Sequence, residues 1–559
     1  MILAINLIRV ANVFSIHFVT ILTFILSLAI PTPRQALAQL GTDEPVRFPQ
    51  ARQVNEREQL VIKQVKVLGS TAFSQKELEA VTDRFIGKEI NLDNAYAIRS
   101  AITQLYVDNG YTTSAAFLSN EQDVSDGVIK IQVIEGQLEE LHIQGLSHLN
   151  ESYVQSRLAT ETPININKLQ ESLQLLQNDP LIANISANLA VGSGNGLSIL
   201  TVRVSEADTW TIGAAFNNAR SPAVGSDQAI AQLSNSNLIG RGDRADLIYS
   251  HTEGSDTFNF SYQVPINSKN GTIRATYATS SNEIVEEPFT PLDIQSESRS
   301  YELSYRQPIV QTPTQEFALG ITASRIESES SLLGERFPLS RGADDEGRTR
   351  ISALRFSQEY SYRGVEEVFL ARAQISLGVG AFGATINEEE PDSRFFSWQA
   401  QAQYVRLLAP DTLFLLRGEF QLADRELLVD EQFRLGGTGS VRGYRQDLLL
   451  GDNGLFASAE VRVPILRIPQ WETVLQVAPF FDVGKVWSSN GNNSSPSNLA
   501  SFGLGLLLSG GDNFSAGFYW AVPLVEVDDQ GDSLQEEGGS FFVEGRFSFG
   551  GFRSRFLKD

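Results

Sequence analysis

The sequence predicts two small α/β units followed by a transmembrane antiparallel β-barrel of 16 strands. Three observations carry that expectation. Beyond an apolar leader, no segment offers about 18 consecutive apolar residues, so no further membrane helix is expected. Residues 61–206 hold two copies of a strand–helix–helix–strand–strand pattern. Residues 208–559 alternate between apolar and polar side chains through most of their length, which is the period of a strand.

Composition narrows the function classes. Hydrophobic residues make up 42% of the 559 and charged residues 20%, too apolar for disorder and too mixed for a helical membrane protein. The 67 acidic against 44 basic residues give a formal charge of −23, which argues against nucleic acid or an anionic lipid surface as the main partner. Cys is absent, which excludes disulfides, thiolate metal sites, a cysteine nucleophile and a lipidated N-terminal cysteine. His17, His142, His148 and His251 are the only histidines, so no multi-histidine metal centre is expected.

The elements follow in order. Residues 1–38 read as a signal peptide: Arg9, an apolar run from Val10 to Ile30, then Pro31, Pro33 and the small-x-small site Ala36-Leu37-Ala38. An uncleaved anchor is the alternative, because the run is long and Arg34 sits close to the cut. Residues 39–60 are polar, contain Pro45 and Pro49, and read as a linker.

In the first unit, 61–137, Val61–Leu68 is expected as a strand and Ser74, with Glu77 three residues on, opens a helix through a capping box. A second helix is expected from about Asp93 to Asp108, with Ile98, Ile102, Leu105 and Tyr106 on one face. Asn109-Gly110 stops it, and Tyr111–Leu118 and Val128–Ile134 are strands. The second unit, 138–207, repeats the order: strand Leu141–Ile143, helices Glu151–Leu158 and Lys168–Leu176, strands Ile185–Val191 and Leu197–Val204. Glu135 and Glu206 mark equivalent ends, about 71 residues apart.

Both units resemble POTRA domains, the periplasmic modules of outer-membrane transporters. The Gly69…Phe73 turn, the Asn109-Gly110-Tyr111 helix exit and the strand end Val133-Ile134-Glu135-Gly136 carry the resemblance, more closely in the first unit than in the second. It implies an open sheet edge to which an extended client adds through main-chain hydrogen bonds. A rigid spacer that binds nothing is the alternative.

From residue 208 the strands read as a barrel. Trp210, Ile212, Ala214 and Phe216 share one face, as do Phe258, Phe260, Tyr262 and Val264. The opposite faces carry Arg274, Glu302, Arg306, Arg372, Glu460, Arg462, Glu544 and Arg546, charges of both signs that suit a hydrated lumen, while the aromatic faces suit lipid. Tyr262-Gln263-Val264-Pro265-Ile266 resembles Tyr305-Arg306-Gln307-Pro308-Ile309, with the prolines about 43 residues apart. One hairpin per repeat gives about 22 residues per strand, hence 16 strands, an even number as bacterial barrels have. The acidic stretches 280–298, 327–349 and 384–394 are expected as loops on the outer side.

The sharpest local signal is Arg434-Leu435-Gly436-Gly437-Thr438-Gly439-Ser440-Val441-Arg442-Gly443-Tyr444-Arg445. It resembles the conserved-motif loop of the two-partner secretion transporters, the haemolysin-activator and filamentous-haemagglutinin exporters, within the outer-membrane assembly factor superfamily. Phe480-Phe481-Asp482-Val483-Gly484 matches that family's F-x-D-x-G strand motif. The resemblance implies that Val441, Arg442, Gly443 and Tyr444 lie on a loop folded into the lumen. It also implies that Arg442 pairs with Asp482, flanked by Phe480 and Gly484. A guanidinium–carboxylate bond of that kind fixes a loop in one orientation.

Two departures from the family pattern stand out. Residues 39–60 are short for both a plug helix and a linker, so no plug is expected. Gly545-x-Phe547-x-Phe549 resembles the terminal assembly signal read by the barrel assembly machinery, but ten residues follow. The signal is then internal, or the strand continues through Phe552 and Phe556. Other signals are set aside. Gly503-x-Gly505 and Gly510-Gly511 lack the strand–helix context of a nucleotide site. The Arg241-Gly242-Asp243 tripeptide reads as turn chemistry, and no catalytic constellation surrounds His251.

The resulting expectation is a transporter and not an enzyme, with no cofactor, metal or nucleic acid. Its expected partners are an unfolded secreted exoprotein, outer-membrane lipid and the barrel assembly machinery. The expected site is the cell outer membrane, with the POTRA-like units in the periplasm. A barrel-insertion factor is the first alternative, and a passive porin or adhesin is the alternative of another class.

Overall fold

The computed structural model describes residues 60–119, 122–491, 496–527 and 533–549. The leader, the linker apart from Leu60, and Phe552 and Phe556 lie outside the described residues.

Alternating burial decides the first small sheet. Ile129, Ile131 and Val133 of Val128–Ile134 are buried while Lys130 and Gln132 are exposed. Ala115–Leu118 is the second strand in chain order (β2) and Gln64–Leu68 the first (β1); Val128–Ile134 (β3) lies between them, parallel to β1 and antiparallel to β2. Helices Gln75–Thr82 and Leu92–Asp108 pack on the sheet, the second burying Ile98, Ile102 and Tyr106 at helical spacing. At the first helix start, Ser74 N–H donates to Glu77 Oε2 at 2.8 Å. Two strand starts differ from expectation. The first begins at Gln64, with Val61 making only an isolated bridge to Glu89. The second begins at Ala115, because the Tyr111 ring packs edge-on against Phe73 and Tyr106 and the chain turns there.

The second unit has the same strand order. Gln137–Gln144 (β4) runs parallel to Leu197–Glu206 (β6), and Ile182–Val191 (β5) pairs antiparallel to it on the other side. Its helices are Glu151–Gln155 and Ile166–Gln177. The former is shorter than expected, since Arg157 and Leu158 N–H bond three residues back and tighten into turns.

Glu135 and Glu206 perform the same task. Glu135 accepts from Thr71 N–H (2.6 Å), Ala72 N–H (2.9 Å) and the Tyr106 hydroxyl (2.7 Å). Glu206 accepts from the N–H groups of Ser147 (2.6 Å), His148 (3.0 Å) and Leu149 (3.0 Å). Each carboxylate ties the turn that follows the first strand of its unit. Burial opposes ionisation at both, but the converging donors outweigh it and hold both carboxyls below the ordinary glutamate range.

The two units are also bonded to each other. Ile166 N–H donates to Gly110 O at 2.8 Å and Asn165 Nδ2 to Asn109 O at 2.9 Å. Gly110 has φ +86°, and a Cβ there would lie 2.7 Å from Asn167 Nδ2, so this junction requires glycine.

The barrel is closed, with 16 antiparallel strands each paired to its sequence neighbours. A two-residue strand, Glu335–Arg336, extends the hairpin of Gln315–Leu332. The first strand, Trp210–Asn217, closes against the last, Gly539–Phe549, with Trp210 opposite Phe549. Phe260, Leu303, Trp398, Trp520 and Phe547 stand exposed on the outer face, which is the arrangement of a lipid-facing band. Inward charges pair along the wall: Arg306 Nε with Glu359 at 2.7 Å, Arg462 Nε with Glu460 at 2.6 Å. No helix among the described residues is long and apolar enough to cross a membrane; the crossing is made by strands.

Two expected loops are shortened at their ends by strand. Thr272–Glu283 and Gln295–Gln311 take 280–283 and 295–298, leaving 284–294 as the loop, and Gln315–Leu332 and Arg348–Arg363 shorten the 327–349 loop. Polar, acidic composition does not end a strand whose ladder partners continue beside it; it ends only the lipid-facing band. In the Arg241-Gly242-Asp243 turn, Asp243 is fully buried and accepts from Ile239 N–H at 3.0 Å and the Tyr262 hydroxyl at 3.0 Å, so the tripeptide is internal turn structure.

Candidate functional site: the inserted loop and its wall anchor

Residues 424–452 connect the strands Thr412–Ala423 and Asn453–Ile468. This loop folds inward because part of it is apolar. Leu435, Val441, Tyr444 and Leu449 form one buried cluster with the wall residues Phe456, Val486 and Leu499. The short pairing of Phe433–Leu435 with Leu449–Gly451 holds its two limbs together. At Gly443, φ is +90° and a Cβ would stand 2.8 Å from Ala521 Cβ, so only glycine lets the loop press against the strand Phe514–Pro523. The Tyr444 hydroxyl donates to Ala500 O at 2.8 Å and accepts from Val525 N–H at 3.0 Å.

Arg442 lies at the centre. Asp482 accepts from Arg442 Nε at 2.8 Å, Nη2 at 2.9 Å and the backbone N–H at 3.2 Å. Arg442 is 6% exposed and Asp482 0%. Glu460 takes the remaining arm, accepting from Nη1 at 2.6 Å. The guanidinium carbon sits 3.5 Å from the centre of the Phe480 ring and 4.7 Å from that of Tyr519. Such stacking contributes about 2 kcal/mol when desolvated. Removing one partner of a buried pair costs about 3–5 kcal/mol, because the other charge is stranded.

Each position of F-x-D-x-G thus has its own task. Phe480 supplies the ring beneath the guanidinium, and Asp482 the two-point acceptor. Gly484 supplies space, since a Cβ there would lie 2.4 Å from Leu435 Cδ1 of the loop. The structure brings together Val441, Arg442, Gly443, Tyr444, Phe480, Asp482 and Gly484. Three contributors escape sequence reading. Glu460 is visible as an inward charge beside Arg462, but nothing local marks it as a partner of Arg442. Tyr519 belongs to no motif. Arg355, which holds Glu431 of the loop through Nη1 (3.0 Å) and Nη2 (2.6 Å), sits outside any motif.

Residues 196–508 match the family described as haemolysin secretion/activation protein ShlB/FhaC/HecB, and residues 60–136 match the POTRA domain, ShlB-type. The chain belongs to this family. It is a two-partner secretion transporter of the outer membrane, with its POTRA units in the periplasm. The outer membrane transporter CdiB of Dickeya dadantii (strain 3937) is 22% identical over 452 residues, 78% of each chain. The heme/hemopexin transporter protein HuxB of Haemophilus influenzae (strain 86-028NP) is 22% identical over 523 residues, 88% of this chain and 89% of its own. The solved structure of CdiB from Escherichia coli superposes with a TM-score of 0.68 at 20% identity, covering 92% of this chain and 95% of that one. These relatives are transporters, and the second α/β unit, with the strand order of the first, completes the POTRA pair before the barrel.

Proposed function

We propose that this transporter exports a partner exoprotein in unfolded form, and that the inserted loop is the element that yields to let it pass. The observation that carries the reading is the packing of the loop against the inner wall, where the Arg442–Asp482 pair holds it. A covalent or fully apolar plug would be permanent. An ion pair with a second carboxylate beside it can be exchanged for other partners as a chain moves through.

The polar character of the lumen fits a passing backbone. A cavity of about 450 Å³ beside the loop is lined by Arg417, Arg442, Glu460, Arg462, Glu544 and Arg546 among others. Charges of both signs offer hydrogen bonds without selecting one sequence. In the periplasm the client adds to a sheet edge, for which the ten-residue edge strand β5 offers the longest ladder in the POTRA pair. Cleavage after Ala38, lipid around the exposed apolar band and insertion by the barrel assembly machinery complete the scheme. Transport involves no catalytic residue, and folding of the client outside biases its direction.

The test is a clean deletion in the native host. Loss of one or a few large secreted proteins, with other outer-membrane barrels unchanged, supports the reading. A broad fall in outer-membrane barrels would make the chain an insertion factor instead.

A further inference from the structure

The inserted loop is fastened again three residues beyond Arg442. The Arg445 guanidinium meets the Glu286 carboxylate at two points, Nη1 to Oε1 at 3.1 Å and Nη2 to Oε2 at 2.8 Å. Its Nη1 also donates to Glu536 Oε1 at 3.2 Å. The next residue continues the attachment: Gln446 N–H donates to Gln535 Oε1 at 2.8 Å, and Gln535 Nε2 donates to Arg220 O at 2.7 Å. One short segment therefore joins the loop residues 218–227, 284–294 and 533–538.

Topology places these loops at one end of the barrel. They follow the first, fifth and fifteenth strands, and the inserted loop follows the eleventh, so all four leave odd-numbered strands. The chain enters the barrel from the periplasmic units, so that end is the outer one. Asp482 lies on the thirteenth strand, while Glu286 follows the fifth, about half of the way round the wall. The segment from Arg442 to Arg445 therefore joins its wall anchor to two loops of the nearer wall, after the fifteenth and first strands, and to one that leaves the opposite wall, after the fifth.

The fastenings at Arg442 and Arg445 differ in character. Arg442 and Asp482 are dry. Arg445 and Glu286 retain side-chain exposures of 20% and 24%, whereas Glu536 beside them is 2% exposed; water reaches the Arg445–Glu286 pair and lowers the cost of parting it. The dry pair sets where the loop sits, and the wet pair is the one suited to repeated release.

We propose that Arg445 is an outer latch: paired with Glu286 and Glu536 it closes the external mouth at rest, and it lets go when a client leaves. The proposal deepens the export reading and rests on it for its final step. Closure itself is testable without a client. The full chain, purified and reconstituted in planar bilayers, is compared with Arg445→Gln and with Glu286→Gln, folding being checked by heat-modifiable mobility. Both variants are expected to raise the resting open probability several-fold, and the reversed pair Arg445→Glu with Glu286→Arg, carrying Glu536→Gln to remove the like charge that approaches position 445 at 3.2 Å, to lower it again towards the native value. Native open probability in both single variants overturns the latch.

Release is tested in cells. The chain has no cysteine, so Glu286→Cys with Arg445→Cys forms a unique pair for a short, reducible bismaleimide. Cross-linked cells are expected to lose export and to regain it on reduction; undiminished export while cross-linked overturns the release step. If deletion of the chain alters no secreted protein, the export reading fails, and the bilayer comparison still decides closure.

Discussion

Arg442 and Asp482 meet as a two-point ion pair, 2.8 and 2.9 Å, while the backbone N–H of the same arginine donates to the same carboxylate. One aspartate thus fixes both a side chain and the main chain of the inserted loop. That relationship sets what substitution at either end should do.

Arg442→Ala is expected to give a folded, membrane-inserted barrel that exports poorly, with loop docking weakened by about 3–5 kcal/mol for a stranded buried charge. Quantifying secreted client against heat-modifiable barrel checks it. Normal export from Arg442→Ala would remove the loop anchor from the mechanism.

Exchanging Arg442 and Asp482 should restore more activity than either single change predicts, but only in part. Glu460 approaches Arg442 at 2.6 Å, so an aspartate at 442 faces a like charge. Adding Glu460→Gln to the exchanged pair is expected to raise export further. A triple variant no better than the double would show that Glu460 does not act on this position.

Gly484→Ala places a methyl group 2.4 Å from Leu435 Cδ1, and overpacking of this kind costs about 1–3 kcal/mol. Export should fall, and Leu435→Ala should recover part of it by emptying the same space. The pair is measured as a double-mutant cycle; additive losses would mean the two residues do not share that contact in the working protein.

Glu135 and Glu206 both have carboxyls held below the ordinary glutamate value. A depressed folded-state value means the ionised form stabilises the fold above the unfolded-state value and the contribution is lost as pH falls through the folded one. Hydrogen exchange at Thr71, Ala72, Ser147 and Leu149 in the full chain should therefore accelerate relative to the intrinsic rate as pH falls. Glu135→Gln should abolish the extra acceleration at 71–72 alone, and Glu206→Gln that at 147–149 alone.

Gly110→Ala should loosen the bond between the POTRA units, because its φ of +86° and the 2.7 Å approach of Asn167 Nδ2 leave no room for a side chain. Faster exchange at Ile166 N–H is the expected signature, with the exchange of β6 unchanged.

What was legible in the sequence is what local chemistry repeats. Strand alternation put Ile212, Phe258 and Phe260 on one face, and they stand exposed on the outer wall. Helical spacing put Ile98, Ile102 and Tyr106 in one core. The count of 16 strands came from turn spacing. Strand lengths did not follow, because pairing with neighbours carries polar segments such as 327–332 upward as strand.

The sequence by itself therefore determined the module order, the barrel and the two motifs, since each is written in periodicity or in a short run of residue types. Only the tertiary structure decided who holds whom. Glu460 and Tyr519 around Arg442, Arg355 against Glu431, and Glu286 and Glu536 around Arg445 come from distant strands and loops. Arginine has no preferred sequence distance for its carboxylate. The choice is made by closure of the barrel, which brings residues 159 positions apart within hydrogen-bonding distance, and by the cost of leaving any of those charges unpaired inside it.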